Sequence, residues 1–418
     1  MKNLKMCKFN LIFISLLISV SCKIKDNHIT PANNPTSFLT LDTLWTQTTN
    51  DFSCNPEMNS QMDVLMSQEF SSVEGEKFSL FDPLTGKLKW QWQDYFVPEL
   101  EFSDNCHIAY HDIMVLCARN RTYAFNMLTG KTIWRHSMDS MIGEPQIFLG
   151  KNGYIYHGFG AANHTYKIFR TKYNEGKWEL VSSYKDTMEY DRMYTTGIAI
   201  SENEKGEDIM VNTLYLAYMK NSKYTVNSII CGYNLSSNKF EWIKDYTKNY
   251  AEFNDCKIQS LGGFVYGFAT YGQVRHLYAI NANDGSISWD RVIPDLGVSL
   301  HIYNNSIIPI CIGFHPVTSF DVKTGNIIWN QDFVGQITED INFEFGDAKV
   351  FKHYLISTEC DYLLVLDLDN GSVVYNKSVS IDQGCLQNGV VVNEEKRLLY
   401  VQDRYKVVCY KLPDEIKY

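Results

Sequence analysis

Short apolar segments separated by turn-forming residues run along most of the chain. Residues 277–281 (LYAIN) and 317–321 (VTSFD) are typical, because each is mainly apolar and ends at an Asn or an Asp. Segments of this length bounded by Gly, Asn and Asp are typical of β-strands and tight turns. No helical period persists over about a dozen residues after the first 21. The pattern therefore predicts an all-β protein.

One spacing recurs in these segments: an Asp or Asn, a Gly or Asn four positions later, and an aromatic residue eight positions later. The six copies are Asp82, Gly86 and Trp90; Asn126, Gly130 and Trp134; Asn234, Asn238 and Trp242; Asn281, Gly285 and Trp289; Asp321, Gly325 and Trp329; and Asp367, Gly371 and Tyr375. A degenerate copy ends in Gly176 and Trp178. The constant spacing identifies an internal repeat.

Each residue of the repeat has a structural role that follows from its chemistry. The Asp or Asn side chain accepts hydrogen bonds from turn amides two residues further on. Glycine adopts the positive φ that tight hairpins require, and Asn238 tolerates it in one copy. The aromatic side chain buries about 150–250 Å², which is a gross gain of roughly 4–6 kcal/mol. We therefore predict that it docks one sheet onto the next.

The interval between aromatic positions gives the size of the folding unit. From Trp45 through Trp178 to Tyr375, the intervals are 45, 44, 44, 64, 47, 40 and 46 residues. About 44 residues is the length of four short strands with their turns, which is one blade of a β-propeller. Repeats of this size predict an eight-bladed β-propeller of four-stranded antiparallel blades.

The two ends of the chain are predicted to share the last blade. Three strands follow Tyr375, and residues 38–46 (FLTLDTLWT) form a lone strand with its own Trp45. We expect this N-terminal strand to pair with residues 407–412 as the outer strand, which leaves no open edge pair. The alternative is a seven-bladed ring with a loose tail.

The N-terminus has the three parts of a secretory signal peptide. Lysines 2, 5 and 8 precede an apolar run at residues 9–20, and Ser21-Cys22 follows. This ending resembles the bacterial lipobox, in which the cysteine is diacylated, although Ser19 stands where leucine is preferred. We predict a lipoprotein signal peptide at 1–21, lipidation of Cys22, a polar tether at 22–37 and the propeller at 38–418. The alternative is cleavage as a plain secreted protein.

The charge argues against a nucleic-acid partner, and the cysteines argue against a disulfide framework. The net charge is −10, so we expect no nucleic-acid partner, because phosphate contacts need basic clusters. The cysteines left after the signal and Cys22 are odd in number and scattered, which is no disulfide framework. We interpret them as small buried hydrophobic residues.

Candidate catalytic residues are sparse. His107 and His111 are predicted to lie on a hairpin, and residues 158–162 (GFGAA) are predicted to form a wide turn rather than a phosphate loop. Asp340 and Glu344 could line a funnel mouth, but their spacing alone does not make an acid–base pair. We predict no catalytic residue, no metal site and no cofactor.

The repeat LYAINANDGSISW, with its relatives LTGKLKW and LTGKTIW, resembles the PQQ-like propeller repeat over about residues 38–418. The resemblance implies the fold but leaves the function open, because this superfamily holds quinoprotein dehydrogenases and binding scaffolds. The vicinal cysteine pair typical of the dehydrogenases is absent. With its lipobox, the chain is similar to the propeller lipoprotein of the outer-membrane β-barrel assembly machinery.

The resemblance favours a non-catalytic envelope lipoprotein, held at the outer membrane on its periplasmic or surface face, that binds a protein or peptide partner. The alternatives are a quinone-dependent dehydrogenase and a glycan-binding propeller. The long interval between Trp178 and Trp242 holds about 20 extra residues, including 202–208 (ENEKGED) and 218–224 (YMKNSKY). Insertions in repeats collect in loops on one face, so these segments are a candidate partner site; a harmless longer hairpin is the alternative.

Overall fold

The computed structural model describes the chain from residue 42 onwards, with gaps. The described residues are 42–48, 52–59, 64–71, 75–96, 107–118, 121–137, 146–161, 165–185, 192–220, 223–250, 252–253, 258–294, 297–311, 316–331, 348–359, 362–378, 390–403, 406–414 and 416. Residues 38–418 form one compact unit. Cys22 and the predicted signal peptide and tether lie outside the described residues.

Every described regular element is a β-strand, beginning with β1 (Thr43–Thr48). Blade 1 consists of β2 (Phe52–Asn59), β3 (Val64–Ser71), β4 (Gly75–Phe81) and β5 (Leu88–Trp92). Blade 2 consists of β6 (His107–Tyr110), β7 (Ile113–Ala118), β8 (Arg121–Asn126) and β9 (Thr132–Ser137). Blade 3 consists of β10 (Gln146–Leu149), β11 (Tyr154–Ala161), β12 (Thr165–Lys172) and β13 (Glu179–Lys185). Blade 4 consists of β14 (Arg192–Glu202), β15 (Asp208–Lys220), β16 (Lys223–Asn234) and β17 (Lys239–Asp245).

The second half of the ring repeats this arrangement. Blade 5 has a divided first strand and consists of β18 (Glu252–Phe253), β19 (Gln259–Leu261), β20 (Phe264–Tyr271), β21 (Val274–Asn281) and β22 (Ile287–Ile293). Blade 6 consists of β23 (Gly297–Tyr303), β24 (Ser306–Cys311), β25 (Val317–Asp321) and β26 (Ile327–Gln331). Blade 7 consists of β27 (Lys349–Phe351), β28 (Tyr354–Glu359), β29 (Tyr362–Asp367) and β30 (Val373–Ser378). Blade 8 consists of β31 (Val390–Asn393), β32 (Leu398–Asp403), β33 (Lys406–Lys411) and β1.

The eight sheets form an eight-bladed β-propeller, which confirms the predicted fold class. Consecutive strands of each sheet pair antiparallel, and first strands of neighbouring blades contact one another, so they line the centre of the ring. Because the strands alternate in direction, the first-to-second and third-to-fourth turns lie on one side of the ring, here called the turn side. The second-to-third hairpins and the links between blades lie on the opposite side, here called the connector side.

The N-terminal strand closes the ring as predicted. β1 pairs antiparallel with β33, with Trp45 opposite Cys409 and Thr46 opposite Val408, and the order of the last sheet is β1-β33-β32-β31. The strand spans residues 43–48 rather than 38–46, and residues 38–41 lie outside the described part. Both ends of the propeller are therefore held in one sheet.

The hydrophobic core lies between sheets. The described residues form eight clusters of buried side chains, and each spans one junction between neighbouring blades. At the junction of blades 1 and 2, for example, Leu80 and Trp92 of blade 1 pack with Leu116 and Phe125 of blade 2. The stability of each blade therefore depends on its two neighbours, as in other repeat proteins.

The extra residues of blade 4 mostly lengthen its strands. β14, β15 and β16 contain 11, 13 and 12 residues. The segment 202–208 turns on the turn side, whereas residues 218–220 and 223–224 are the paired ends of β15 and β16 on the connector side. The expectation of loops on one face was therefore wrong. The 202–208 turn is also tied to its neighbours: Lys151 of blade 3 pairs with Glu202, and the amide of Glu204 donates to Asn283 Oδ1 of blade 5 at 2.8 Å.

Two further local predictions can be compared with the fold. Residues 158–161 of the GFGAA segment lie inside β11, paired with β12, so the predicted wide turn was wrong. Cys117, Cys231 and Cys409 are buried in strands, as expected for small hydrophobic residues, and Cys311 is half-buried. Burial raises the pKa of the Cys409 thiol to about 12, which keeps it protonated.

Ring closure predicts that Trp45 contributes much more stability than its neighbour. Trp45 packs against the junction of blades 8 and 1, whereas Leu44 is 53% exposed. Trp45→Ala should lower the free energy of unfolding by about 2–4 kcal/mol, and Leu44→Ala by less than about 0.5 kcal/mol. Denaturant unfolding followed by circular dichroism measures both. Equal midpoints for the two variants would contradict closure by this strand.

Candidate functional site

The repeated Asp and Asn residues organise the turns between third and fourth strands. Asp82 Oδ1 accepts hydrogen bonds from the amides of Leu84 at 3.1 Å and Thr85 at 3.0 Å, and from the Thr85 hydroxyl. Corresponding turn amides bond to the side chains of Asn126, Asn234, Asn281, Asp321 and Asp367. Since Asn serves as well as Asp, the turn needs the acceptor oxygen and not the charge.

In the turn that begins at Asp321, the hydrogen bonds of the turn also lower the pKa of the carboxyl group. The Thr324 hydroxyl and amide stabilise the carboxylate and lower the pKa of Asp321 below its ordinary value. These bonds to the carboxylate are therefore kept at neutral pH and weaken only as the pH falls through that lowered pKa.

The glycine of each turn lies against the tryptophan of the preceding blade. Gly285 has a φ of 74°, and a Cβ atom there would come within 2.4 Å of the Trp242 ring. The same relation holds for Trp45 with Gly86, Trp90 with Gly130, Trp134 with Gly176, Trp289 with Gly325, and Trp329 with Gly371. Glycine is thus required twice, for the positive φ and for the space that the indole fills.

The indole nitrogen adds a hydrogen bond to the same turn. Each donates to a backbone carbonyl of the next blade: Trp45 to Pro83 at 3.1 Å, Trp90 to Leu128 at 3.3 Å, Trp134 to Tyr173 at 2.9 Å, Trp242 to Ala282 at 2.9 Å, Trp289 to Val322 at 2.8 Å, and Trp329 to Leu368 at 3.0 Å. We call the indole of one blade, seated on the glycine turn of the next, an interblade lock. Six junctions contain one.

The junction of blades 3 and 4 is built differently, and here the sequence interpretation was wrong. Four residues after Gly176 stands Leu180, which is 54% exposed, whereas Trp178 points back and donates to Thr122 Oγ1 of blade 2 at 2.8 Å. The turn of blade 4 that would receive the indole has Asn238 in place of glycine, with a φ of 55°.

A polar cluster replaces the lock at this junction. The Arg170 guanidinium of blade 3 donates to Asn238 Oδ1 at 3.3 Å, pairs with Glu179, and lies 4.7 Å from the centre of the Tyr154 ring. The chain thus keeps glycine in the turns that receive an indole and uses asparagine in the turn that does not.

Three titratable side chains meet at the face of blade 5, where Tyr250 is buried and His276 and Asp290 are half-buried. The Tyr250 hydroxyl donates to Asp290 Oδ2 at 2.9 Å, and His276 Nδ1 lies 2.8 Å from Asp290 Oδ1. Burial, followed by the Asp290 charge, raises the pKa of Tyr250, so its hydroxyl stays protonated and donates. The group fixes the link between blades 4 and 5 to the face of blade 5.

The described part of the chain places His107 and His111 but not every remaining candidate. His107 lies in β6 and His111 in the following turn, as the hairpin prediction required. Asp340 and Glu344 lie outside the described residues. Among the described residues, no three His, Cys, Asp or Glu side chains are placed to hold a metal ion.

The described residues also do not fit a quinone. Its ring needs stacking partners and a cation held by oxygen ligands. The indoles of the six locks are already packed on glycine turns, and the four described cysteines stand in four different blades. We therefore derive no reaction step through a quinone.

A cleft that the sequence interpretation missed lies between blades 5 and 6. Its volume is about 420 Å³, and we call it the blade 5/6 cleft. It is lined by Arg291, Val292, Ile293, Pro294, Pro309, Cys311, Pro316, Thr318, Phe320, Gly325, Asn326 and Ile327. The three prolines, which lie in or next to strands, were the available signal, because a proline cannot donate to a sheet ladder.

Local sequence explains an irregularity in the sheet beside the cleft. β24 and β25 pair at two positions, Ser306 with Asp321 and Ile307 with Phe320. Pro309 and Pro316, which would lie further along this ladder, have no amide hydrogen to continue it. The cleft adjoins this interrupted part of blade 6.

The fold and its locks define the class of protein: a β-propeller with PQQ-like repeats. The family model described as outer membrane protein assembly factor BamB matches residues 40–147, and the chain resembles BamB. No curated protein sequence matches the chain. The part of the chain that the structure describes contains no helix able to cross a membrane.

Three solved structures illustrate the range of proteins with this fold. BamB from Moraxella catarrhalis is 13% identical with a TM-score of 0.51, and the match covers 89% of this chain and 100% of that one. Sqt1 from Saccharomyces cerevisiae is 11% identical with a TM-score of 0.59, covering 90% and 100%. The quinohemoprotein alcohol dehydrogenase from Comamonas testosteroni is 9% identical with a TM-score of 0.52, covering 90% and 78%.

The locks predict different costs for the same substitution at two glycines. Gly153→Ala meets open space at a φ of 76°, so it should cost only the conformational penalty of about 1–2 kcal/mol. Gly285→Ala adds a collision with the Trp242 ring and should cost about 1–3 kcal/mol more. Denaturant unfolding of both variants measures the difference. Equal costs would mean that the indole does not need the glycine.

Proposed function

We propose that the protein is a non-catalytic lipoprotein of the bacterial envelope that serves as a binding scaffold for a protein or peptide partner. The observation that carries the proposal is the likeness to BamB, which this chain matches over that protein's whole length. The family model for the same assembly factor supports it independently at residues 40–147. A role in assembling outer-membrane proteins is the function to which this likeness points.

The contacts made by the repeated residues hold the ring together, which supports a scaffold role. Asp and Asn oxygens accept from turn amides, glycines make room for indoles, and indole nitrogens donate to carbonyl groups. These contacts give each of the repeated residues a structural role. They hold eight sheets in a fixed ring whose outer surfaces are available for recognition.

The anchor is the second part of the proposal. The apolar run that ends at Ser21-Cys22 supports acylation of Cys22, and residues 22–37 would then be the tether that links the lipid to the propeller. The outer membrane is the membrane that the likeness to BamB favours, with the propeller on its periplasmic or surface face.

A quinone-dependent dehydrogenase is the second candidate. The likeness to the quinohemoprotein alcohol dehydrogenase favours it, but this chain spans 78% of that enzyme. Titration of the purified protein with pyrroloquinoline quinone and calcium, followed by calorimetry and dye-linked alcohol oxidation, separates the two candidates. Turnover would replace the scaffold proposal with the enzyme.

The anchor is tested by substituting single cysteines. Cys22→Ala should move the protein from the membrane fraction to the soluble fraction and abolish incorporation of labelled palmitate, because the acyl acceptor is removed. Cys7→Ala, within the signal peptide, is the matched control and should leave both unchanged. Equal labelling of the wild type and Cys22→Ala would contradict lipidation.

The scaffold is tested in the same cells. Mild crosslinking of membranes that contain the wild-type protein should join it to a defined envelope protein. The same crosslink should become weaker in Cys22→Ala, which no longer holds the propeller at the membrane. A protein that remains uncrosslinked in intact membranes would contradict a scaffold role.

A further inference from the structure

The blade 5/6 cleft carries an exposed apolar surface on the outside of the ring. Val292 of β22 is 68% exposed and Ile327 of β26 is 62% exposed, and both line the cleft. Exposed Pro294 extends the surface along blade 5. Aliphatic side chains this exposed on two adjacent blades form a shared patch, and such patches mark interaction sites.

The charged side chain in the lining of the cleft is held in place by the backbone. Arg291 is the charged residue of the lining, and its guanidinium is already used by backbone carbonyls: it donates to Thr324 and Gly325 at 2.8 Å each and to Asp290 at 2.7 Å. Apart from Arg291, the lining is mainly aliphatic, proline and aromatic, so burial of apolar surface favours an uncharged, apolar occupant.

The strand beside the cleft is the outer strand of its blade and lacks the charged residues that protect such strands. β26 is the last strand of its sheet, and no described strand pairs with its outer side. Its sequence, IIWNQ, contains no charged residue, whereas six other outer strands contain at least one: β5, β9, β13, β17, β22 and β30. Proteins place charges on edge strands to prevent pairing with another chain.

β1 is the other uncharged outer strand, and it differs from β26 in what it exposes. Apart from Leu44, the exposed residues of β1 are threonines, whereas β26 exposes Ile327 and Ile328 beside a cleft. Strand addition needs backbone groups for pairing and a pocket for alternate side chains. The uncharged edge of β26 offers the first, and the adjoining cavity, beside exposed Ile327, offers the second.

We propose that the blade 5/6 cleft binds an extended apolar segment of a protein partner, which adds to β26 as a fifth strand and places a branched aliphatic side chain in the cavity. The inference rests on the proposed scaffold function and specifies its binding site. The volume, about 420 Å³, lies within the roughly 300–1,000 Å³ of typical ligand pockets and leaves room for a bulky side chain.

The probe is a phage-displayed library of octapeptides, selected on the wild-type propeller and counter-selected on Ile327→Lys. We expect enrichment of peptides with alternating β-branched residues, and a loss of at least about tenfold in affinity for the synthetic winning peptide with Ile327→Lys or Val292→Lys. Ile133→Lys, on the outer strand of blade 2, is the matched control and should bind as the wild type does. Unchanged melting of all three variants shows that the ring is intact.

Backbone pairing is tested by N-methylation of the winning peptide at alternate amides. One of the two methylated registers should lose at least about tenfold in affinity, because pairing to a strand edge uses every second amide. Equal affinity for both registers would overturn strand addition. Enrichment that is the same on Ile327→Lys would overturn the site, and self-association abolished by Ile327→Lys would show that a second copy of this chain is the occupant instead.

Failure of this inference is distinguishable from failure of the scaffold proposal. If Ile327→Lys crosslinks in membranes to the same envelope protein as the wild type, with equal yield, the partner binds elsewhere and the cleft assignment is wrong while the scaffold stands. If the wild type itself captures no envelope protein, the scaffold proposal fails.

Discussion

The contact between an indole ring and the α-carbon of a glycine in the next blade is the interaction on which the ring depends. A single four-stranded blade cannot bury both of its faces, so its stability depends on side chains that reach across to its neighbours. Trp242 supplies that side chain from an outer strand, and Gly285 leaves it the space and closes its own hairpin with a positive φ. Gly285 therefore serves both the hairpin turn and the packing between sheets, so a substitution there disturbs both.

The junction of blades 3 and 4 shows what happens when this contact is absent. Leu180 stands where the tryptophan would be, and the facing turn has Asn238 in place of glycine. Arg170 bridges the gap with polar contacts, and the neighbouring blade has the longest strands of the ring. Polar contacts therefore take the place of the lock at this seam, beside the apolar cluster that blades 3 and 4 share there.

Much of the fold could be predicted from the sequence because its repeat is local. A fixed spacing of Asp or Asn, Gly and Trp encodes a hairpin and its docking side chain, and Trp45 before the first full blade revealed how the ring closes. The error at Trp178 came from counting aromatic residues instead of keeping the spacing, which leads to Leu180. The blade 5/6 cleft could not be predicted in this way, because Val292 and Ile327 are far apart along the chain and become neighbours only through the ring.

A double-mutant cycle that copies the chain's own exception tests the central claim most directly. Trp242→Leu and Gly285→Asn together recreate, at the junction of blades 4 and 5, the pair formed by Leu180 and Asn238. If the glycine is needed because the indole occupies its surface, Gly285→Asn should cost much less stability in the Trp242→Leu protein than in the wild type, with a coupling free energy of at least about 1 kcal/mol. Additive costs, with no coupling between the two positions, would contradict the account.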